Sequence, residues 1–242
     1  MGLVFSAQKA GVAMQKGYLV LNGGQAFVSE SKEADRAWLK LLRSTHSPRV
    51  VVVPVAAMEK QQRIADDVTR YFSRLNTYAQ RAMIIDQRTA NTETEYAVLD
   101  KVEAIVLTDG SPVDMIERLR GTHTEAALHR ALMRKAAVMG TGASAMALGG
   151  VLWFAHEWMP GLALAPHLAI LAHHNLFRMR LSPERLLAGL PEGVTLIGID
   201  QTATLICHPD DTYQVVGQGG VCVYRSAVQL DDYPAGSTFA LG

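Results

Sequence analysis

The chain has 242 residues, of which 49% are hydrophobic and 19% charged, a composition typical of a globular protein and not of a disordered one. Its 23 lysines and arginines balance its 23 aspartates and glutamates, which excludes the strong positive field that nucleic acid or an anionic membrane would need. No apolar stretch reaches the roughly 18 residues that span a bilayer. We therefore expect a cytoplasmic protein with no nucleic-acid partner and no membrane partner.

Two cysteines, Cys207 and Cys222, are too few for a disulfide framework, and their spacing fits no zinc pattern. Both lie in apolar, strand-like runs, so we expect them to be small core residues. A metal site built from His167, His173 and His174 with Glu157 would lack regular ligand spacing. The sequence therefore indicates no metal and no cofactor.

Apolar runs and helical apolar spacing alternate from residue 17 to residue 139. In chain order they predict strand 17–21, helix 33–43, strand 49–57, helix 59–75, strand 82–85, helix 93–99, strand 104–108, helices 113–119 and 125–135, and strand 136–139. Strands that are apolar on both faces and separated by helices are typical of a parallel sheet covered on both sides. We predict a single α/β domain, residues 1–242, around one doubly wound, mainly parallel sheet.

The last third of the chain has a different pattern. Short strand-like runs with tight turns occur at 194–200, 203–208, 213–217 and 220–225, and they predict an antiparallel edge of the same sheet. Parallel sheets of this kind bind ligands beyond the carboxyl ends of their strands. Ser144, just after the fifth predicted strand, is therefore well placed for chemistry.

The turn after that strand reads GTGASAM, residues 140–146. A nucleophile elbow of the form G-x-S-x-G would use Ser144, with Gly142 as the first glycine and Met146 in place of the second. The same letters fit G-x-G-x-x-A, a dinucleotide-binding fingerprint that would use the glycines of residues 140–142. That alternative is weaker, because four predicted strands precede the turn and Glu157, the next acid, follows no evident strand.

Several segments occur in an order that covers nearly the whole chain: VLNGG, AIVLTDGSPVDMIERLRGT, GTGASAM, GLALAP, AHHNLFRMRLSPERLL, IGIDQTATLI and QVVGQGGVCVY. In this order they resemble the cyanophycinase-like serine peptidases, a family that also includes dipeptidase E. The most specific part is IGIDQTA followed by V-x-G-x-G. The resemblance implies a fold similar to that of the class I glutamine amidotransferases and a Ser-His-acid triad.

The family's nucleophile lies in a G-T-S-A-G turn. If one inserted residue is allowed, Ser144 is its counterpart and Gly142 the small residue two positions earlier; without the insertion we place the nucleophile at Ala143. The family's histidine belongs to a D-Q-H-F segment that resembles residues 171–174. His173 and its neighbour His174 are therefore the candidate catalytic bases, although the Asp and Gln of the motif are missing.

The family's acid is the Glu of G-I-G-I-D-E, and the resemblance places Gln201 there. An amide can orient an imidazole but cannot stabilise its cation, and this change lowers turnover by about 10⁴ in a serine protease. Asp200 is adjacent; because neighbouring strand residues face opposite sides, it could substitute only where the strand ends or bulges. A G-G-D-Q loop that shapes the family's substrate site resembles Asp109, Gly110, Ser111 and Pro112.

These departures fall where catalysis and specificity are expected. We predict a divergent family member with a degraded triad, weak or no hydrolysis, and a binding or assembly role with a small peptide, a protein partner or a second copy. The alternative is an active serine hydrolase that uses Ser144 on a small peptide or isopeptide. Arg178 and Arg180 are candidates for holding an acidic substrate group, although pairing on a helix surface is the commoner role of such charges.

Overall fold

The computed structural model describes residues 17–42, 46–180 and 182–241. In this part of the chain the strands are β1 (Tyr18–Asn22), β2 (Arg49–Val53), β3 (Tyr78–Arg81), β4 (Ala104–Leu107), β5 (Ala137–Thr141), β6 (Gly149–Phe154), β7 (Glu157–Pro160), β8 (Ala165–Leu171), β9 (Thr195–Ile199), β10 (Ala203–Cys207), β11 (Thr212–Gly217), β12 (Gly220–Tyr224), β13 (Leu230–Pro234) and β14 (Thr238–Ala240). The α-helices there are α1 (Lys32–Leu39), α2 (Gln61–Ser73), α3 (Gln87–Ala90), α4 (Glu93–Tyr96), α5 (Pro112–Leu119), α6 (His123–Met133), α7 (Ala143–Ala147), α8 (His174–Phe177) and α9 (Pro183–Ala188).

The larger sheet has eight strands in the order β14-β11-β10-β1-β5-β4-β2-β3. The five neighbouring strands β1, β5, β4, β2 and β3 are parallel, and β10, β11 and β14 continue the sheet with antiparallel pairs. Helices cover both faces: Val50 of β2 packs in one apolar cluster with Phe72 of α2, whereas the neighbouring Val51 packs in another with Leu128 of α6. Successive strand residues point to opposite faces, which explains the continuous apolar runs.

A second sheet has six strands in the order β13-β12-β9-β8-β6-β7. Its central strands β6, β8 and β9 are parallel, and β7, β12 and β13 add antiparallel pairs at the two sides. The largest buried cluster takes residues from both sheets, including Val138 and Leu205 from the first and Ile170 and Ile197 from the second. The two sheets therefore share one core.

The predicted mixed α/β class with a mainly parallel core and helices on both faces is confirmed. The prediction of one sheet is wrong, because the C-terminal strands divide between two: β10 and β11 extend the first sheet, while β9 and β12 join the second. The prediction of a single domain covers residues outside the described ranges and stays a prediction. None of the helices in the described ranges has the length and hydropathy needed to cross a bilayer.

The third predicted strand, 82–85, is misplaced. Strand β3 ends at Arg81, and Ala82 and Ile84 are buried in the core outside any strand. β3 is an edge strand with an exposed Tyr78, so its residues lack the apolar run by which a buried strand is recognised.

The two sheets meet where the carboxyl ends of β1, β5 and β8 lie close together. The N–H of His173, two residues beyond β8, donates to the carbonyl of Gly23, just beyond β1, at 2.7 Å. The N–H of Gly142, just beyond β5, donates to the carbonyl of Asn22 at 3.0 Å. Backbone hydrogen bonds thus hold three chain turns at one edge, where a parallel sheet places its ligands.

Candidate functional site

The bend after β5 is made by Gly142. Its φ of 55° and ψ of −116° lie outside the regions that residues with a side chain readily adopt. The residue with such angles, directly between a strand and a helix, is the position at which a nucleophile elbow exposes its catalytic side chain. In this chain that position has no side chain.

The expectation that Ser144 or Ala143 lies at the tip of the turn is wrong. Both residues lie within α7, and Ser144 is fully buried with its hydroxyl donating to the carbonyl of Thr108. The geometry at Gly142 agrees with a letter-by-letter match of G-T-S-A-G to residues 140–144, which puts the family's serine at Gly142 and not at Ala143. The inserted residue that we allowed in the sequence comparison is not needed.

The space beside Gly142 holds the carboxylate of Asp109, which follows β4. A Cβ atom built on Gly142 would overlap that carboxylate. One oxygen, Oδ1, accepts hydrogen bonds from the N–H of Ala143 at 2.7 Å and from the N–H of Gly110 at 2.8 Å. Asp109 therefore occupies both the space of a nucleophilic side chain and the two backbone donors next to it.

His173 faces the same carboxylate. Its Nε2 lies 3.9 Å from Oδ2 of Asp109, too far for a hydrogen bond but within ion-pair distance when the ring is protonated. The ring lies against Gly24, where a Cβ would overlap it, and His173 has a left-handed backbone with φ 52°. A glycine at position 24 thus leaves room for the imidazole beside Asp109.

His174 turns away from this group. Its ring is buried, with Nε2 2.8 Å from the hydroxyl of Tyr224 and Nδ1 3.7 Å from Oδ1 of Asp200. Burial lowers the pKa of His174, because an imidazolium is poorly solvated there, and the nearby Asp200 partly opposes this. Of the two histidines that the sequence left open, the structure places His173 beside the elbow and His174 in the core.

Within the residues that the structure describes, neither Gln201 nor its neighbour Asp200 forms a hydrogen bond with His173. Gln201 bonds through its backbone, donating to Oδ1 of Asn175 at 2.8 Å and accepting from the N–H of Gln25 at 2.8 Å. Asp200 lies just after β9, and its Oδ2 accepts from the N–H of Gly220 at 2.9 Å. Asp200 is thus paired with the buried His174 and a backbone donor.

The remaining candidate substrate residues are Ser111, Arg178 and Arg180, and they lie outside the group formed by Gly142, Asp109 and His173. Ser111 caps α5 by accepting from the N–H of Asp114. Arg178 makes a two-pronged pair with Asp232, at 2.8 and 2.9 Å, beside a cavity of about 240 Å³ that Asp200 and His174 also line. Arg180 lies beside α9, at a separate shallow pocket. A role in substrate binding for these three residues stays a prediction.

Neither alternative chemistry gains support from the geometry. Across the described ranges no three His, Cys, Asp or Glu side chains are placed to hold a metal ion. A pyrophosphate at the glycine turn would meet the carboxylate of Asp109, which already takes the Ala143 N–H and would repel it. What the site offers is a solvent-accessible carboxylate and imidazole, together with two backbone donors that the carboxylate occupies.

Comparison with known proteins supports the relationship inferred from the motifs. The family model for peptidase family S51 matches residues 19–206. A crystal structure of a peptidase from an acI-B1 Actinobacterium is similar over 95% of this chain and 98% of its own, with 20% identity and a TM-score of 0.82. A putative peptidase E protein from Listeria monocytogenes EGD-e matches 90% of this chain and 98% of its own, with 11% identity and a TM-score of 0.57.

No curated protein sequence matches the chain. At these identities the two structures support the fold alone, whereas the family model covers well over half of the sequence. Six of the seven segments that carry the motifs, from VLNGG to IGIDQTATLI, lie within the matched residues, and QVVGQGGVCVY, at 214–224, lies beyond them. The chain belongs to peptidase family S51.

Proposed function

We propose that this protein is a family S51 member that does not hydrolyse peptides through a serine, and that its site serves binding. The observation that carries the proposal is the occupant of the elbow: Gly142 has no side chain, and the carboxylate of Asp109 fills the space beside it. Loss of the nucleophile in a serine protease lowers kcat by about 10⁶. A site without this group is left with its ability to bind.

Ser144 does not compensate for the missing group. A nucleophilic hydroxyl must lie within hydrogen-bond reach of a base and be open to substrate. The hydroxyl of Ser144 is buried and donates to the carbonyl of Thr108 instead. Its role in this proposal is structural, since it ties the start of α7 to the end of β4.

Fluorophosphonate labelling of the full chain tests the proposal. We expect no covalent adduct on the folded protein and no release of dipeptides from cyanophycin, because the described part of the chain presents no activated serine at the elbow. A stoichiometric adduct on Ser144 that the change Ser144→Ala abolishes would overturn the proposal and favour the competing function, hydrolysis by Ser144.

Ser144→Ala also has an expected effect on stability. Removing the buried hydroxyl leaves the Thr108 carbonyl without this donor, so the free energy of unfolding should fall by about 0.5–1.5 kcal/mol. Urea unfolding measures the change. Ser73→Ala is the matched control, because its exposed hydroxyl also donates to a carbonyl, that of Thr69, where water can replace it, so little change is expected. A Ser144→Ala protein as stable as the wild type would contradict the structural role.

A further inference from the structure

We infer that the elbow site binds a carboxylate ligand, whose carboxylate takes the place now filled by that of Asp109. This inference rests on the proposed binding function and names the ligand class. The side chain of Asp109 shows the fit directly: a planar carboxylate fills the space beside Gly142, accepts from the N–H groups of Ala143 and Gly110, and faces Nε2 of His173. An external carboxylate of the same shape would meet the same partners.

The two oxygens of the carboxylate have different environments. Oδ1 is held by two backbone N–H groups that come from different turns, Ala143 after β5 and Gly110 after β4. Oδ2 faces Nε2 of His173 at 3.9 Å. Two backbone donors for one oxygen and an imidazole beside the other favour a carboxylate over a neutral acid or amide, because hydrogen bonds to a charged acceptor are the stronger ones.

Displacement of Asp109 is sterically open. Its side chain is 42% exposed and that of His173 is 30% exposed, so both can be reached from solvent. The backbone around them is held by hydrogen bonds: the N–H of Ser111 donates to the carbonyl of Ala56 at 2.9 Å, and the N–H of Gly142 donates to the carbonyl of Asn22 at 3.0 Å. Rotation of the Asp109 side chain into water therefore frees the two donors while the site around them keeps its shape.

Asp109 must then weaken binding to the unmodified protein. A ligand that binds only when the site is vacated has its affinity reduced by the fraction of molecules in which Asp109 has moved out. The displaced carboxylate also repels an incoming anion. Asp109→Ala removes both effects, so we expect it to bind acetate at least about tenfold more tightly than the wild type.

The test is an acetate titration of the full chain, read by thermal unfolding and by the ring signals of His173 in NMR. Asp109→Ala and Asp109→Gly both vacate the site, so one remains if the other fails to fold. Asp109→Asn is the matched control, because its amide oxygen can still accept from both N–H groups. Sodium chloride at equal ionic strength controls for screening.

We expect saturable stabilisation by acetate in Asp109→Ala and Asp109→Gly, a shift of the His173 signals, and a weaker response in the wild type and in Asp109→Asn. Equal responses to acetate and chloride, equal responses of Asp109→Ala and Asp109→Asn, or a wild type with no saturable response to acetate would overturn the inference. Fluorophosphonate labelling reads a separate property, so failure here leaves the proposed lack of serine hydrolysis standing.

A carboxylate can belong to a small acid or to the C-terminus of a peptide. N-acetyl-glycyl-glycine and its C-terminal amide distinguish these sources in Asp109→Ala. Tighter binding of the peptide acid than of acetate, with no binding of the amide, assigns the site to a peptide terminus. Equal binding of acetate and peptide acid assigns it to small carboxylic acids, and binding of the amide equal to that of the acid would overturn the carboxylate class.

Discussion

Gly142 and Asp109 fit each other, because the Asp109 carboxylate fills the space that a side chain at position 142 would need. A side chain at position 142 would overlap the carboxylate of Asp109. Without that carboxylate, the N–H groups of Ala143 and Gly110 would lose their acceptor. The elbow geometry itself is kept, because Gly142 has the backbone angles that are strained for a nucleophile with a side chain.

The pair predicts that serine reactivity can be recovered only by changing both residues. In Gly142→Ser alone, the new side chain competes with Asp109, and labelling by a fluorophosphonate should stay at background. In Gly142→Ser combined with Asp109→Gly, the hydroxyl can face His173 and the two backbone donors are free, so slow labelling at position 142 should appear. Mass spectrometry of the labelled peptide measures it.

Gly142→Ala with Asp109→Gly is the control, since it has the same backbone changes and no hydroxyl. Adding Gln201→Glu to the serine double variant should raise the labelling rate by about tenfold or more, as part of the roughly 10⁴ that an acid contributes to a triad. Labelling of Gly142→Ser alone at the rate of the double variant would contradict the coupling with Asp109.

The sequence named His173, Asp109 and Gly142 as candidate site residues, and the structure brings the three together, but the sequence placed Ser144 and not Gly142 at the elbow. The order of the letters does not report backbone angles, and Ser144 was favoured because Gly142 then supplies the small residue two positions before it. The signal that could have found the elbow was the ungapped match of G-T-S-A-G to residues 140–144. Nothing in the sequence could show that the Asp109 carboxylate reaches Ala143, since 34 residues separate them.

At the scale of elements, apolar runs predicted β1, β2, β4 and β5 close to their observed positions, because these strands are buried on both faces. The four strands β9 to β12 were also found, whereas β13 and β14 were not. Their division between two sheets was not, since pairing of β9 with β12 and of β10 with β1 is set by contacts distant in sequence. β6, β7 and β8 were missed because their exposed residues interrupt the apolar runs.

Helix α8 begins over the second sheet, and His174 fixes its position. The ring fills the space above Gly198 of β9, where a Cβ would overlap it, and Nε2 contacts the hydroxyl of Tyr224 in β12. This single side chain joins α8 to two strands. Its protonation state is therefore expected to affect the stability of this part of the fold.

His174 should make stability depend on pH. Because burial lowers its pKa below 6.5, the folded state binds fewer protons than the unfolded state, so this contribution is present above pH 6.5 and is lost as the pH falls through the folded pKa. Urea unfolding between pH 7.5 and pH 5 should show a falling free energy of unfolding. His174→Phe with Tyr224→Phe, which leaves no unpaired hydroxyl, should show a shallower slope.

The slope of that double variant should be reduced but not zero, because burial also lowers the pKa of His167, which contacts the hydroxyl of Tyr213. His167→Phe with Tyr213→Phe is the matched control for this second contribution. Equal slopes in the wild type and in the His174 variant would show that His174 does not titrate differently in the folded and unfolded states.

For the whole molecule, the shared core argues against independent unfolding of the two sheets. The largest cluster contains Val138 and Leu205 from the first sheet and Ile170 and Ile197 from the second, all fully buried. Separating the sheets would expose apolar side chains of both to water, at about 25 cal/mol for each Å². The bond from His173 to Gly23 adds a polar link at the edge that carries the site.

The tryptophans provide a test, because they report on different sheets. Trp38 packs in the cluster against β2 and β4 of the first sheet, whereas Trp153 and Trp158 lie together in the second, with ring centroids 5.1 Å apart. In Trp38→Phe the tryptophan fluorescence comes from the second sheet only, and in Trp153→Phe with Trp158→Phe it comes from the first.

Within each variant we expect the urea midpoint by fluorescence to equal that by far-UV circular dichroism, because one core unfolds as one cooperative unit. The comparison is made inside a variant, since loss of the Trp38 hydrogen bond to Asp35 lowers stability by itself. A fluorescence midpoint for either sheet that differs from the circular dichroism midpoint of the same variant would mean that the shared core does not couple the two sheets.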